Sequence, residues 1–248
     1  MSGHSKWATI KHKKGAADAA RGRLFSKLVK EIIVAAKHGG GSVDTNARLR
    51  TVVQKAKDAS MPSDNIERAI KKGTGELPGI VYEEIIYEGY GPGGVAILVE
   101  ALSDNKNRTT SEVRNIFEKR GGSMAGQGAV AWQFHKKGYF AVSKAKADED
   151  KLMALAIDAG AQDMAASGEV FEVTTDPKDF EAVKKAIDGA GIAVDLCEVT
   201  MIPQATVKVE GANVKAVLLL VEGLEELEDV QNVYANFDIS DEELKAAS

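Results

Sequence analysis

The amino-acid sequence predicts an α+β protein in which an N-terminal three-helix-type basic domain precedes two ferredoxin-like α+β domains, one inserted in the other. Three observations support this fold class. Apolar residues recur at the helical period through the first 75 residues or so. Strand-like and helix-like segments then alternate, and residues 138–203 show the complete β-α-β-β-α-β order of a ferredoxin-like unit. The α-β pair that follows supplies what an earlier, partial sheet lacks.

The N-terminal domain is predicted to hold three helices. The first covers residues 23–37, where apolar side chains recur every three or four positions. A run of three glycines at 39–41 ends it, and Asp44 or Thr45 is expected to cap the second helix. A third, shorter helix follows, and Gly73 is expected to end it.

The sequence changes to strand-like patterns after the linker GTGELPG. EEIIYEGY and VAILVEAL are predicted to be strands joined by the turn signal GPGG. Thr109 and Glu112 match a capping box for a helix over residues 110–120, and AVAWQF is predicted to be a further strand. This β-β-α-β order leaves the first sheet incomplete until the chain returns after the inserted unit.

The predicted domain limits follow from this order. They are residues 1–78 for the basic helical domain, 79–134 plus 205–240 for a discontinuous α+β domain, 135–204 for the inserted ferredoxin-like domain, and 241–248 for an acidic tail.

Composition indicates a cytoplasmic protein. The single cysteine, Cys197, excludes an internal disulfide framework and a multi-cysteine zinc site. The longest uninterrupted apolar run, residues 216–221, is far shorter than the roughly 20 residues that span a bilayer, so no membrane partner is expected.

Catalytic and cofactor motifs are not matched. YEGYGPGG lacks the dinucleotide-binding spacing and runs into a strand, and GGSMA ends in Ala125 where a nucleophile elbow needs glycine. The four histidines form no i, i+4 pair that could hold a metal ion. We therefore expect no enzyme activity, catalytic residue, metal site or cofactor.

Positive charge is concentrated at the N-terminal end. The formal net charge is −5, yet residues 1–75 contain 16 Lys+Arg against 6 Asp+Glu, and the rest contains 16 against 31. The two parts therefore carry net charges of +10 and −15. This asymmetry indicates a nucleic acid as the partner of the basic part. The acidic stretches EELED and SDEE are expected to be a solvated helix end and tail, or alternatively to repel nucleic acid or to dock a basic protein.

The basic residues of three helical segments are candidates for contact with phosphates. A solvated surface is the alternative for any one helix, Trp7 could pin its segment to the core instead of stacking on a base, and a helix-turn-helix with Asn65 and Arg68 at base edges is a further alternative. The candidate set is Lys6, Trp7, Lys11, His12, Lys13, Lys14, Arg23, Lys27, Lys30, Arg48, Arg50, Lys55, Arg68, Lys71 and Lys72, with Lys106 and Arg108 as a possible second contact.

Long segments of the chain resemble the YebC family. They include GHSKWATIKHKKGAADAARGRLFSKLVKEI, NARLRTVVQKAKDASMPSDNIERAIKKGTG, YEGYGPGGVAILVEALSDNKNRTTSEVRN, GGSMAGQGAVAWQF and TMIPQATVKVEG with DVQNVYANFDISDEEL. The resemblance implies three domains and no catalytic site. Most members are described as probable DNA-binding transcriptional regulators. Mitochondrial relatives are described as translational activators, and some bacterial members as ribosome-associated factors that relieve stalling on proline-rich sequences.

The resemblance also assigns residues. The family's N-terminal basic motif corresponds to Lys6, Trp7, Lys11, His12, Lys13 and Lys14, and its second basic motif to Arg48 and Arg50. Ala47 stands where proline is common, and Ser63 replaces a frequent lysine. The expected function is DNA-binding regulation of transcription. The alternative is a ribosome-associated, rRNA-binding translation factor, whose acidic domains would contact the ribosome or another protein.

Overall fold

The computed structural model describes residues 18–240 and 242–244 and begins with a helical bundle. Its three helices are α1 (Asp18–Gly39), α2 (Ala47–Asp58) and α3 (Ser63–Thr74). Helix α1 packs against both of the others. Their shared core is apolar and includes Ile32, Leu49 and Ala56, each fully buried. The predicted helical N-terminal region is confirmed.

Asparagine, not one of the predicted residues, caps α2. The Asn46 side chain accepts a hydrogen bond from the Leu49 N–H at 3.0 Å. Its amide donates to the carbonyls of Ala35 and Gly40, both at 2.8 Å, so one buried side chain satisfies the end of α1 and the start of α2. Asp44 and Thr45, which were expected at this cap, are exposed.

Glycine residues 73 and 75 have different tasks at the end of α3. Gly75 is the C-cap and takes a left-handed conformation, with φ of 83°. Gly73, which was expected to end the helix, lies inside it, because its position is set by packing. A Cβ atom there would stand 2.5 Å from the Ile33 carbonyl oxygen of α1.

The bundle is followed by ten strands and four further helices. In chain order these are β1 (Glu83–Tyr90), β2 (Ala96–Ser103), α4 (Lys106–Lys119), β3 (Ser123–Ala125), β4 (Phe134–Ser143), α5 (Glu149–Asp158), β5 (Ala161–Ser167), β6 (Val170–Thr175), α6 (Phe180–Gly189), β7 (Leu196–Pro203), β8 (Val207–Lys208), α7 (Ala212–Glu225), β9 (Val230–Ala235) and β10 (Phe237–Asp238). No helix in the described ranges is long and apolar enough to cross a membrane.

The middle sheet is antiparallel, with the order β3-β1-β2-β9, and β8 and β10 form a separate parallel pair. Helices α4 and α7 contribute Phe117 and Leu220 to its fully buried core. Strand β9 pairs with β2 only after the chain has formed the whole inserted unit. This return is what the sequence order predicted.

Two predicted elements of this region are wrong. Helix α4 begins at Lys106, four residues before the predicted start, because Asn105 accepts the Arg108 N–H at 3.1 Å and acts as the cap. The segment AVAWQF contains a 3₁₀ turn, Ala131–Gln133, and leads into β4. It does not form a strand because the Glu88 carboxylate, instead of a neighbouring strand, accepts its N–H groups.

The inserted unit follows the ferredoxin-like order. Its strands are arranged β5-β6-β4-β7, all antiparallel, with α5 and α6 contributing to one core. Phe140, Leu152 and Ile187 are fully buried there. The predicted α+β class, with a helical region followed by antiparallel sheet domains, is confirmed. We propose that the three bodies are the folding units expected from the sequence.

Candidate nucleic-acid interface

Five of the candidate cations are exposed on the bundle. Arg23 lies on α1, Arg50 and Lys55 on α2, and Arg68 and Lys71 on α3. Because α2 and α3 both pack on α1, the structure places these charges on one small body. This arrangement can attract a phosphate backbone.

Two further candidates are partly engaged. Arg48 is exposed, but its guanidinium lies 2.6 Å from the Glu84 carboxylate at the start of β1. Lys72 is half-buried, and its stem lies 3.2 Å from the Cβ position of Gly79 in the linker that follows α3. Both residues can keep a charge near nucleic acid, although each also contacts the connection to the middle sheet.

Lys30 is a correction to the predicted interface. It was expected on the solvated side of α1, but it is only 6% exposed. Its ammonium group lies 2.7 Å from Oδ1 of Asp229 and donates to the Glu228 carbonyl at 3.3 Å. Lys27, one turn earlier, donates to the Glu225 carbonyl at 2.7 Å. This side of α1 faces the turn between α7 and β9, so both lysines hold the bundle to the middle sheet.

Asp229 is the centre of a buried polar cluster. Its Oδ2 atom accepts hydrogen bonds from Arg108 at 2.6 Å, from the Thr109 hydroxyl at 2.6 Å and from the Ser103 hydroxyl at 3.2 Å. Burial opposes ionisation of this carboxyl, but the bonds from Lys30, Thr109 and Arg108 outweigh it and lower the pKa of Asp229 to about 2. Asp229 is therefore ionised at neutral pH.

This cluster removes Arg108 from the predicted second contact. Its guanidinium is shared between Asp229 and Asp104, the latter at 2.8 Å, and these hydrogen bonds raise the pKa of Arg108. Only Lys106 of that pair has an exposed side chain without such a partner among the residues that the structure describes.

Sequence reasoning missed Asp229 because it closes the acidic stretch EELED, which was expected to be solvated. The stretch ends inside the protein, with Asp229 only 2% exposed. The available signal was a lysine on α1 at the edge of the apolar face, with no acidic partner nearby in the sequence. The N-terminal candidates Lys6, Trp7, Lys11, His12, Lys13 and Lys14 lie outside the described residues.

Two family profiles match the chain. The family domain described as the TACO1/YebC protein N-terminal domain matches residues 5–76. The one described as the TACO1/YebC second and third domain matches residues 82–237. The boundary between them falls in the linker between α3 and β1.

Individual relatives agree over nearly the full length. A probable transcriptional regulatory protein of Geobacter sulfurreducens is 58% identical over 245 residues, which is 99% of each chain. One of Natranaerobius thermophilus is 59% identical over 244 residues, or 97% of this chain and 98% of that one. The crystal structure of a conserved hypothetical protein from Aquifex aeolicus shares 48% identity and a TM-score of 0.83, covering 95% of this chain and 98% of that one.

Proposed function

Because this chain belongs to the TACO1/YebC family, whose curated relatives are named probable transcriptional regulatory proteins, we propose that it is a DNA-binding regulator of transcription. The observation that supports DNA binding is the exposed positive charge of the bundle, on a domain with a net charge of +10. The remainder, at −15, repels a polyanion, so the bundle is the part that meets DNA.

The bundle holds phosphates and reads few bases. Lysine and arginine contacts to a phosphate backbone set affinity and position but carry no base identity. Engaging about eight phosphates gives a slope of log affinity against log salt of roughly −7 on duplex DNA. Regulation on this scheme depends on where the acidic domains, oriented by the Lys30–Asp229 contact, recruit a protein partner.

Charge reversal tests the interface. The variant carries Arg50→Glu, Lys55→Glu, Arg68→Glu and Lys71→Glu, and the matched control carries Lys151→Glu, Lys178→Glu, Lys185→Glu and Lys215→Glu, all exposed positions of the acidic domains. We expect the first set to make the salt slope shallower by about 3 to 4 and the control to leave it nearly unchanged, measured by fluorescence anisotropy on duplex DNA. Equal losses in both variants would contradict a specific interface on the bundle.

Ribosomal RNA is the second candidate target, because contacts with phosphates do not distinguish DNA from RNA by themselves. Sedimentation of cell extract with crosslinking separates the two. Promoter footprints with no ribosomal co-migration support the transcriptional role. Co-migration with ribosomes, with rRNA crosslinks in residues 1–75, would replace it with a role in translation.

The proposed activity is non-enzymatic and cytoplasmic. Among residues 18–240 and 242–244, no group of three or more His, Cys, Asp or Glu side chains is placed to hold a metal ion. Burial raises the pKa of the Cys197 thiol, which disfavours the nucleophilic thiolate. A metal or small molecule that co-purifies at one equivalent per chain would argue for catalysis instead.

A further inference from the structure

Two aromatic side chains stand exposed at one end of the middle sheet. Trp132 is 67% exposed and Tyr90 is 41% exposed. The Trp132 indole N–H and the Tyr90 hydroxyl both donate to the same acceptor, the Ala129 carbonyl, at 3.1 and 3.2 Å. Their polar atoms are thus engaged within the protein, and a large part of both side chains is left to solvent.

The loop that carries these side chains is held by a buried carboxylate. Glu88, on β1, is 3% exposed and accepts the N–H groups of Gly128, Val130 and Ala131 at 2.6, 2.6 and 2.8 Å. Charge-assisted bonds of this kind are stronger than neutral ones. Trp132, the next residue along the chain, is therefore presented by a pre-organised loop, which lowers the entropic cost of binding a ligand.

The surrounding sequence is basic within an acidic part of the chain. Residues 119–147 contain six Lys+Arg and no Asp or Glu. Arg120 comes three residues before Ser123, which lies opposite Tyr90 in the sheet, and Lys136 follows Trp132 by four residues. In the part of the chain that the structure describes, Lys119, Arg120 and Lys136 are exposed and enter no ion pair.

We propose that this surface is a second nucleic-acid contact, in which Trp132 and Tyr90 stack on unpaired bases while Lys119, Arg120 and Lys136 meet the flanking phosphates. Aromatic faces beside cations are the elements of single-strand recognition, and bases in a duplex are not open to such stacking. The inference rests on the proposed function and adds to it: the bundle grips the backbone, and this surface selects a single-stranded or looped segment.

Fluorescence of Trp132 tests the stacking directly. The chain has two tryptophans, so the Trp7→Phe variant leaves Trp132 as the sole reporter. We expect a 12-nucleotide oligouridine to quench its emission at saturation, and a duplex of equal length to leave it nearly unchanged. The Trp132→Leu variant should bind the oligouridine about 10-fold more weakly, whereas Trp132→Phe, which keeps an aromatic face, should lose at most about 2-fold.

The control is Ile157→Ala on α5, where a similarly exposed apolar side chain is removed away from this loop, and it should not affect binding. If charge reversal of the bundle weakens binding but oligouridine neither quenches Trp132 nor discriminates Leu from Phe, the second contact is overturned and the proposed function stands. Equal weakening by Trp132→Leu and Trp132→Phe would also overturn stacking. If the wild-type protein binds neither DNA nor oligouridine, both proposals fail.

Discussion

At the scale of single residues, the burial of Lys30 is possible because a carboxylate balances its charge. A lysine that is 6% exposed would otherwise lose its hydration without compensation. Asp229 lies 2.7 Å away, and its second oxygen is satisfied by Arg108, Thr109 and Ser103. Such a cluster is sensitive to the loss of its centre more than to the loss of any one donor.

Asp229→Asn should destabilise the protein by about 3–5 kcal/mol, because it leaves Lys30 buried beside a neutral amide. Lys30→Met should cost less, since Asp229 keeps Arg108 and Thr109 as partners. Urea denaturation monitored by circular dichroism measures both values. A larger loss in Lys30→Met than in Asp229→Asn would contradict the view that Asp229 is the centre of the cluster.

The same carboxyl group makes stability depend on pH. Its pKa is about 2 in the folded protein against 3.8 for an ordinary aspartate. The stabilisation is therefore fully present above about pH 4 and is lost as the pH falls through about 2. We expect the urea midpoint of the wild type to fall more steeply between pH 4 and 2 than that of Asp229→Asn. Parallel profiles would show that Asp229 contributes nothing to acid sensitivity.

Glu88→Gln should loosen the loop before Trp132. Glutamine offers one acceptor oxygen where the carboxylate uses two, and its amide donors would face the N–H groups of Gly128, Val130 and Ala131. We expect a loss of about 1.5–3 kcal/mol and faster hydrogen exchange at these three amides. Glu83→Gln, at an exposed position of the same strand, is the control and should leave the exchange unchanged.

At the scale of elements, local side chains decide where helices begin, and packing decides where they meet. Asn46 and Asn105 both occupy N-caps with extended backbone, so the two helix starts follow ordinary capping chemistry. In each case several polar residues stood nearby, and sequence alone did not choose between them. Ala47 is the first residue of α2, a position that tolerates proline, which explains why the family can carry either residue there.

Two helical glycines should respond oppositely to alanine. Gly73→Ala places a Cβ atom 2.5 Å from the Ile33 carbonyl and 2.7 Å from the Ala36 Cβ, so α3 must move away from α1 at a cost of about 1–3 kcal/mol. Gly22→Ala on α1 has nothing within 4 Å and should stabilise the protein by about 0.5–1 kcal/mol. Thermal unfolding of both variants measures the difference. A neutral Gly73→Ala would show that the helices do not approach this closely.

At the scale of the whole molecule, the basic bundle is tied to an acidic body by contacts of unequal strength. Lys30 and Asp229 form a buried pair, whereas Arg48 and Glu84 form an exposed one with side chains 43% and 51% accessible. Exposed pairs contribute at most about 1 kcal/mol. The buried pair therefore sets the orientation of the bundle relative to the middle sheet.

Pulsed electron paramagnetic resonance tests this ranking. Spin labels at Lys57→Cys on α2 and Lys215→Cys on α7, in a Cys197→Ser background, report the distance between the bundle and the middle domain. We expect Lys30→Met to broaden the distance distribution and Glu84→Gln to leave it unchanged. The reverse result would assign the orientation to the surface pair.

The sequence by itself determined the class of the fold, the helical bundle, the ferredoxin-like order of the insert and the separation of charge, because these depend on periodicity and composition along the chain. Only the tertiary structure decided which charges reach solvent. Lys30 and Asp229 are 199 positions apart, and no local pattern encodes their meeting. The same holds for Glu88, whose acceptance of backbone N–H groups 40 to 43 positions away turned a predicted strand into a loop that exposes Trp132.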